Sequence, residues 1–388
     1  MIPDMPETKK VALLIETSTS YGRTLIRGIV QYANIAASWI FYNEPRGLME
    51  KLPQLSKWNL DGIIMRDTPE NMPLLKLNIP SVVSIRYEKM VQGVPNIISD
   101  SNAIGILAAG YLRDKGFSRF AFCGFDDMPW SGEREKAFLD AISGAENISV
   151  YRRKQPSPDY NQELNDIAHW LKTLPKPTAV MACNDVRGAN VVEACKLAQI
   201  KVPQEISILG VNNDDMICEM TSPPLSSVSL DILTAGYEAA KTLDRMMKGK
   251  STCPENIIIK PKTIITRAST DILAIDDPDI AAALHYISQN SKKHIQVGDI
   301  AANIGVNRRS LERRFRDVLG KSVYDEIKRV RIDVISKMLI ETDLSIAEIA
   351  YNMGFEDSNH ISRYFAARKG ISPLKFRKVH QTGGDDKA

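Results

Sequence analysis

Two stretches, Asp299-Ile-Ala-Ala-Asn-Ile-Gly-Val306 and Glu348-Ile-Ala-Tyr-Asn-Met-Gly-Phe355, begin 49 residues apart and share one pattern. Each runs on to an apolar pair four residues apart: Leu311 and Phe315 in the first copy, Ile361 and Phe365 in the second. An amphipathic stretch, a glycine and a second amphipathic stretch read as helix, turn, helix. The second helix of each copy decides what the repeat is for. Residues 307–316 hold five Arg against one Glu, and residues 358–378 hold six Lys or Arg and no acid. A repeated fold unit with a basic second helix is the electrostatic footprint of a duplex-DNA reader.

The details of each copy follow from that frame. Ser345 and Glu348 form a capping box that starts the scaffold helix of the second motif. Gly354 supplies the turn, where a left-handed backbone is needed. With Leu311 and Phe315 buried, Arg308, Arg309, Glu312 and Arg313 project. With Ile361 and Phe365 buried, Ser358, Asn359, His360, Ser362 and Arg363 project. Arg pairs bidentately with guanine, Asn with adenine, and Glu accepts from cytosine. Arg314, Arg316, Arg368, Lys369, Lys375 and Lys378 read as phosphate anchors, which fix register without reading sequence. Between the motifs, apolar residues at 323, 327, 330, 334 and 338 mark one face of a connecting helix. Its length, about 27 Å at 1.5 Å per residue, suits two recognition helices in successive major grooves.

Upstream, β-rich runs recur at Val11–Ile15, Gly62–Met65, Val82–Ile85, Asn96–Ser99, Arg119–Phe125, Ala179–Ala182 and Ile206–Val211. Helical patterns separate most of them, at Arg23–Ala36, Ala103–Lys115, Glu133–Ile142 and Arg187–Ala198. This alternation predicts a parallel sheet covered on both faces, and its length predicts two doubly wound lobes with a cleft between them. The fold class expected is therefore α/β, a two-lobed parallel-sheet core, followed by an all-α domain. In such sheets ligands bind beyond the carboxyl ends of the strands. The polar residues there are Glu16, Ser20, Tyr21, Arg23, Asp100, Trp130, Arg134, Asn184, Asp185, Asn212, Asn213 and Asp214. Hydrogen-bonding groups, two aromatics and little net charge suit a neutral, hydroxyl-rich small molecule. Any one Asn or Asp after a strand serves equally well as a helix cap; the convergence of several strand ends favours a site.

Several of these stretches resemble the sugar-binding core of the LacI/GalR-type repressors and the periplasmic sugar-binding proteins. They are Ala179-Val-Met-Ala-Cys-Asn-Asp185, Val202-Pro-Gln-Glu-Ile-Ser-Ile-Leu-Gly-Val-Asn-Asn213 and Pro224-Leu-Ser-Ser-Val-Ser229. In the LacI type the DNA module precedes the core. Here the tail instead resembles the AraC/XylS two-motif domain, through Leu344-Ser-Ile-Ala-Glu-Ile-Ala350, Gly354-Phe355, Tyr364-Phe365 and Gly370-Ile-Ser-Pro-Leu-Lys-Phe-Arg377. The combination is similar to the XylR-type family of xylose operon regulators. That resemblance implies a sugar site centred on Asp100, Arg134, Asn184 and Asn212, with the loop from Glu16 to Arg23 in the matching half of the cleft. The family usually has Asp where this chain has Asn212, so Asn213 or Asp214 can take that role, or the hydroxyl pattern read differs.

These readings set the expected organisation. Residues 8–270 form the effector-binding core, 271–282 a linker, 283–381 the two-motif DNA-binding domain and 382–388 a disordered tail. The charge agrees: all of the net +3 lies in residues 276–388, with 19 basic and 16 acidic residues. Asp276 and Asp277 in the linker would repel DNA. The expected partners are duplex DNA, a small sugar (D-xylose or a related pentose), a second copy of the chain, and RNA polymerase as a further candidate. No cofactor, metal or membrane is expected. The five cysteines show no Cys-x-x-Cys spacing, and no apolar run approaches a signal peptide or a membrane span, which points to the cytoplasm. Catalysis is not expected either, because none of the five histidines falls at the strand ends and no hydrolase motif appears. Two other readings stay open on the residues: a sugar-processing enzyme fused to a DNA module, and a core that only dimerises.

Overall fold

The structure is a computed structural model and describes residues 8–43, 58–153, 159–249, 255–272 and 277–381. Its contacts divide it at 272/273 into two compact units. Cys253, Asp276 and the expected tail at 382–388 lie outside the described residues.

The first unit holds two six-stranded sheets. One contains β1 (Lys9–Leu14), β2 (Trp39–Asn43), β3 (Gly62–Arg66), β4 (Ser81–Ser84), β5 (Asn96–Ser99) and β11 (Ile257–Ile259), in the order β11-β5-β4-β3-β1-β2. The other contains β6 (Arg119–Phe125), β7 (Asn147–Arg153), β8 (Thr178–Ala182), β9 (Ile206–Asn212), β10 (Ser226–Leu230) and β12 (Pro261–Ile265), in the order β12-β10-β9-β8-β6-β7. All pairs are parallel except β10 with β12. Every residue of β3, β4 and β8 is buried, as expected of central strands covered on both faces. The weakly alternating β2 and β7 are edge strands, which is why their sequences did not stand out.

The covering helices are α1 (Ser20–Ala36), α2 (Ser101–Asp114), α3 (Pro129–Ala141), α4 (Tyr160–Thr173), α5 (Asp185–Ala198), α6 (Asp215–Met220) and α7 (Ile232–Met247). The chain crosses between the lobes three times. After β5 it enters α2, which packs on α3 and β12; after β10 it returns as α7, which packs on α1, β3 and β4; and it crosses again between β11 and β12. α1 and α7 approach through glycines: a Cβ on Gly28 would lie 2.1 Å from Leu233 O, and one on Gly236 2.2 Å from Leu25 O.

The second unit is helical: α8 (Pro278–Gln289), α9 (Val297–Ile304), α10 (Arg308–Leu319), α11 (Val323–Glu341), α12 (Ile346–Asn352), α13 (Ser358–Lys369) and α14 (Pro373–Gln381). The two copies of the sequence repeat fold as α9–α10 and α12–α13, with Gly305 and Gly354 in left-handed turns at φ 72° and 67°. Ser345 and Glu348 make the capping box, and Asp299 accepts from Gln296 N in the same way at 2.8 Å. Each motif has its own core. Leu311, Phe315, Val323 and Ile327 belong to one cluster, and Ile332, Ile335, Leu339, Ile361 and Phe365 to another.

Two expectations need correction here. Helix α8 begins inside the range assigned to the linker; Asp277 caps it by accepting from Asp279 N and Ile280 N. On α11, Val330, Val334 and Met338 are only partly buried, and Ile332, Ile335 and Leu339 are buried in their place. One helix serves two cores, so its buried face rotates partway along.

Candidate functional sites: a strand-end cavity and two basic helices

A cavity of about 280 Å³, at the small end for small-molecule sites, opens where the carboxyl ends of the strands of both lobes meet. From one lobe come Glu16, Thr19, Ser20 and Tyr21 after β1, Arg66 at the end of β3, Ile85, Arg86, Glu88 and Lys89 after β4, and Ile98 and Ser99 of β5. The other lobe supplies Pro129, Trp130, Glu133 and Arg134 of α3, Asn184, Asp185 and Val186 at the start of α5, Asn212 and Asp214 after β9, and Ile217 of α6.

Of the residues expected at the site, the lining includes Glu16, Ser20, Tyr21, Trp130, Arg134, Asn184 and Asn212. Arg23, Asp100 and Asn213 are engaged elsewhere. Arg23 donates to the carbonyls of Thr17 and Ser18 at 2.8 and 3.0 Å, bracing the loop. Asp100 caps α2 by accepting from Ala103 N at 2.9 Å. Asn213 donates to Asp215 and accepts from Arg267. Asn184 does both jobs: its side chain caps α5 through Arg187 N at 2.8 Å and also lines the cavity.

The lining carries more charge than the sequence reading assigned to it, and part of that charge is engaged within the wall. Arg86 pairs with Glu16 at 2.9 Å. Arg66 lies 4.4 Å from the centre of the Tyr21 ring and donates to Ser84 Oγ, which also meets the Tyr21 hydroxyl. The buried Asp67 accepts from the backbone N–H groups of Arg86, Tyr87 and Glu88, each at 2.7 Å, and so shapes the loop that carries Arg86 and Glu88 into the lining. Two contacts span the lobes: Ser20 N donates to Asp214 Oδ2 at 2.8 Å, and Arg134 reaches Ser99 Oγ at 3.4 Å.

Arg134 is more deeply buried than Arg66 or Arg86. It is 3% exposed, lies 4.9 Å from the Trp130 ring centre and donates to Cys183 O at 2.6 Å. Its Nε finds no hydrogen-bond partner among the described residues. Burial pushes this guanidinium below its ordinary pKa. A desolvated cation with an unfilled donor favours a ligand oxygen beside it.

Asp185 is a buried acid of the lining. Desolvation pushes its pKa up to about 7, opposed by hydrogen bonds from Ser227 Oγ at 2.5 Å and Asp214 N at 2.7 Å. The turn beside it holds two non-glycine residues at positive φ, Asn212 at 108° and Asn213 at 51°. Asn tolerates the left-handed region better than most residues, and a strained backbone at a cavity wall is a mark of a site held by its surroundings. Arg267 holds this turn through Asn213 Oδ1, Leu225 O and Asp215. The four described cysteines are buried, and burial raises their pKa values, that of Cys183 to about 11 and that of Cys195 to about 12, which leaves them poor nucleophiles. Among the described residues no His, Cys, Asp and Glu cluster could hold a metal ion.

On the second unit, Arg308, Arg309, Arg313 and Arg316 are exposed on α10, and Asn359, His360, Arg363 and Lys369 on α13; Glu312, Ser358 and Ser362 are half-buried. Several of these already have partners. Glu312 accepts from Arg308 Nε at 3.0 Å, His360 packs edge-on against Phe355, and Ser362 bonds back to Ser358 O. Arg314 is corrected: it is not a freely projecting phosphate anchor but is bound by Asp277 and Asp279 at the start of α8. These partners sit 37 and 35 residues upstream, in the stretch that read as linker.

Residues 109–270 match the periplasmic binding protein-like domain family, and residues 300–379 match the helix-turn-helix domain family. The xylose operon regulatory protein of Haemophilus influenzae is 30% identical over 379 residues, covering 95% of this chain and 98% of its own length. Its counterpart in Escherichia coli K12 is 28% identical over 382 residues, covering 96% and 97%. Among solved structures, that of the xylose-binding transcription activator xylR superposes with a TM-score of 0.62 at 26% identity, covering 96% of this chain and 99% of that one.

Proposed function

This chain belongs to the family of the xylose operon regulatory proteins, and we propose that D-xylose or a related pentose, bound in the strand-end cavity, controls its hold on DNA. It is a DNA-binding transcription regulator with a periplasmic-binding-protein-like core and a two-motif helix-turn-helix domain. The observation that carries the effector reading is the buried Arg134, whose Nε, like that of Arg66 in the same cavity, finds no hydrogen-bond partner among the described residues. A neutral polyol can fill such a donor without bringing charge of its own. Trp130 beside it offers a face for the C–H side of a sugar ring.

Two groups of one lobe, Asp214 and Arg134, already reach the other. A sugar that bonds both walls would favour that closed arrangement by its preference for it, and by no more than that preference. The proposed readers of base edges are Arg308, Arg309, Arg313, Asn359 and Arg363. Arg316 and Lys369 anchor phosphates. The chain acts as a homodimer in the cytoplasm, contacts RNA polymerase when bound to its site, and performs no chemistry on its effector. Among the described residues no helix is long and apolar enough to cross a membrane.

Calorimetric titration of the full chain with D-xylose, L-arabinose, D-ribose and D-glucose tests the reading. A pentose should give binding heat, and Arg134→Met should weaken it by about 1.5–3 kcal/mol, roughly 10- to 100-fold. Absence of heat with every sugar overturns the effector reading and leaves the DNA reading standing.

A further inference from the structure

The two DNA-reading motifs have separate apolar cores with no residue in common. Helix α11 runs through both. Its first half gives Val323 and Ile327 to one core, and its second half gives Ile332, Ile335 and Leu339 to the other. At the seam sits Arg331, 4% exposed. Its guanidinium donates to Ser291 O at 3.3 Å and to Lys293 O, both in the segment between α8 and α9. The same group donates to Met353 O at 2.6 Å, where α12 ends. It also lies 5.0 Å from the centre of the Phe355 ring. No carboxylate among the described residues pairs with it. The backbones meet at this point: a Cβ on Gly354, the turn glycine of the second motif, would lie 3.6 Å from Lys292 O.

We propose that Arg331 is a positioning residue that sets the separation of the two recognition helices, α10 and α13, and so the spacing of the two half-sites this chain reads. Each recognition helix is already seated by its own core, through Leu311 and Phe315 in one and Ile361 and Phe365 in the other. Arg331 belongs to neither apolar cluster. Arg331 instead ties the first motif's loop to the second motif's turn through three carbonyls. A planar fork of donors can bridge two backbones at once; an ammonium is a single point on a flexible stem. Burial pushes the guanidinium below its ordinary pKa, opposed by a hydrogen bond with the side chain of Tyr364 on α13. Duplex DNA supplies the need for that geometry, because its successive major grooves stand about 34 Å apart and a one-base-pair shift also rotates one half-site against the other.

The test uses full-length protein. Wild type first selects its bipartite site from a randomised duplex pool. The selected duplex is then remade with one or two base pairs inserted or deleted between the halves. Affinities of wild type, Arg331→Lys and Arg331→Met are measured at fixed salt. Wild type should lose about tenfold or more on a one-base-pair insertion, the scale of one lost base contact. Both variants should show a clearly smaller penalty, with base preferences inside each half unchanged. Arg331→Met, if folded by circular dichroism, should be the more tolerant; if it is unfolded, Arg331→Lys alone decides. A variant that folds and keeps the wild-type spacing penalty overturns the proposal, as that is what a merely structural arginine would do. A wild-type selection that returns only one half-site takes down the two-motif reading, and this proposal with it.

Discussion

The two units of this chain handle charge in opposite ways. In the core, Arg134, Asp185, Arg187 and Asp214 are buried; Arg134 donates to a carbonyl, Asp185 accepts from a hydroxyl and the Asp214 N–H, Asp214 accepts from the Ser20 N–H, and Arg187 pairs with Glu163. In the second unit, the cations of α10 and α13 stand mostly on exposed faces, and the buried ones, such as Arg331, hold backbone. A desolvated charge is costly without a defined partner, so buried charge makes a selective cavity. An exposed charge is cheap, acts over about a Debye length and is screened by salt, which suits a partner that is a line of phosphates. The same side chains thus serve selectivity in one place and attraction in the other.

The largest expected effect tests whether the units are independent. Phe365 is fully buried in the second motif's core. Phe365→Ala should cost about 3–5 kcal/mol there, enough to undo that motif. Scanning calorimetry should show a lowered transition for the second unit beside an unchanged one for the core, and sugar binding should survive while DNA binding is lost. A shift of both transitions together would break the comparison.

Next is the distinction between reading and attraction within the second unit. Arg363→Ala should cost about 1–3 kcal/mol on the selected site and relax one base position. Lys375→Ala should weaken all duplexes alike and lower the salt slope by about one. An equal loss for Arg363→Ala on random DNA would make Arg363 another phosphate contact.

The second unit was the more legible of the two because its signal is repeated. Within each copy the helix starts, the turn glycine and the pair Leu311/Phe315 or Ile361/Phe365 lie within about twenty residues of one another, and one copy supports the other. What stayed hidden there depends on contacts between distant residues. Asp277 read as linker charge because its partner Arg314 is on another helix, and the buried face of α11 could not be read as one stripe because two cores share it. In the core, strand ends were legible from alternation, and they led to Tyr21, Trp130, Arg134, Asn184 and Asn212. The carboxylate of Asp67, which shapes the 86–88 loop, gave no local sign, since its three donors lie 19 to 21 residues away. Likewise Arg66 and Arg86 enter the cavity through sheet order, which no spacing displays.

A third, smaller effect concerns the price of buried charge in the core. Asp185 has its pKa raised to about 7 by burial, with Asp214, Arg267 and Cys218 as its charged or titratable neighbours. The folded form therefore holds a proton that the unfolded form releases at about 3.9. Between those values stability falls as pH rises, and above 7 the contribution is flat. Denaturant titrations of the core at pH 5 and pH 8 should show this loss, on the order of 1 kcal/mol per pH unit across the window. Asp185→Asn should flatten the slope. A slope unchanged in the variant would assign the dependence to other groups.

The smallest expected effect falls on the exposed side. Glu312 and Arg308 are four residues apart on α10 and paired at 3.0 Å, an arrangement worth about 0.2–0.5 kcal/mol on an isolated helix. Glu312→Gln should therefore barely move the melting point of the second unit. Its effect on DNA separates two roles for the same carboxylate. If Glu312 serves to hold Arg308 in place, the variant frees that guanidinium, nonspecific affinity rises slightly and base preferences blur at the position Arg308 faces. If Glu312 itself accepts from a cytosine, preference for that one base is lost, while affinity for random duplexes rises by the same small amount through the lost negative charge. Selection from a randomised pool with wild type and variant side by side distinguishes the two, because only the second removes a cytosine from the consensus. The 3.0 Å pair favours the first outcome, since an oxygen already engaged by Arg308 has less capacity left for a base.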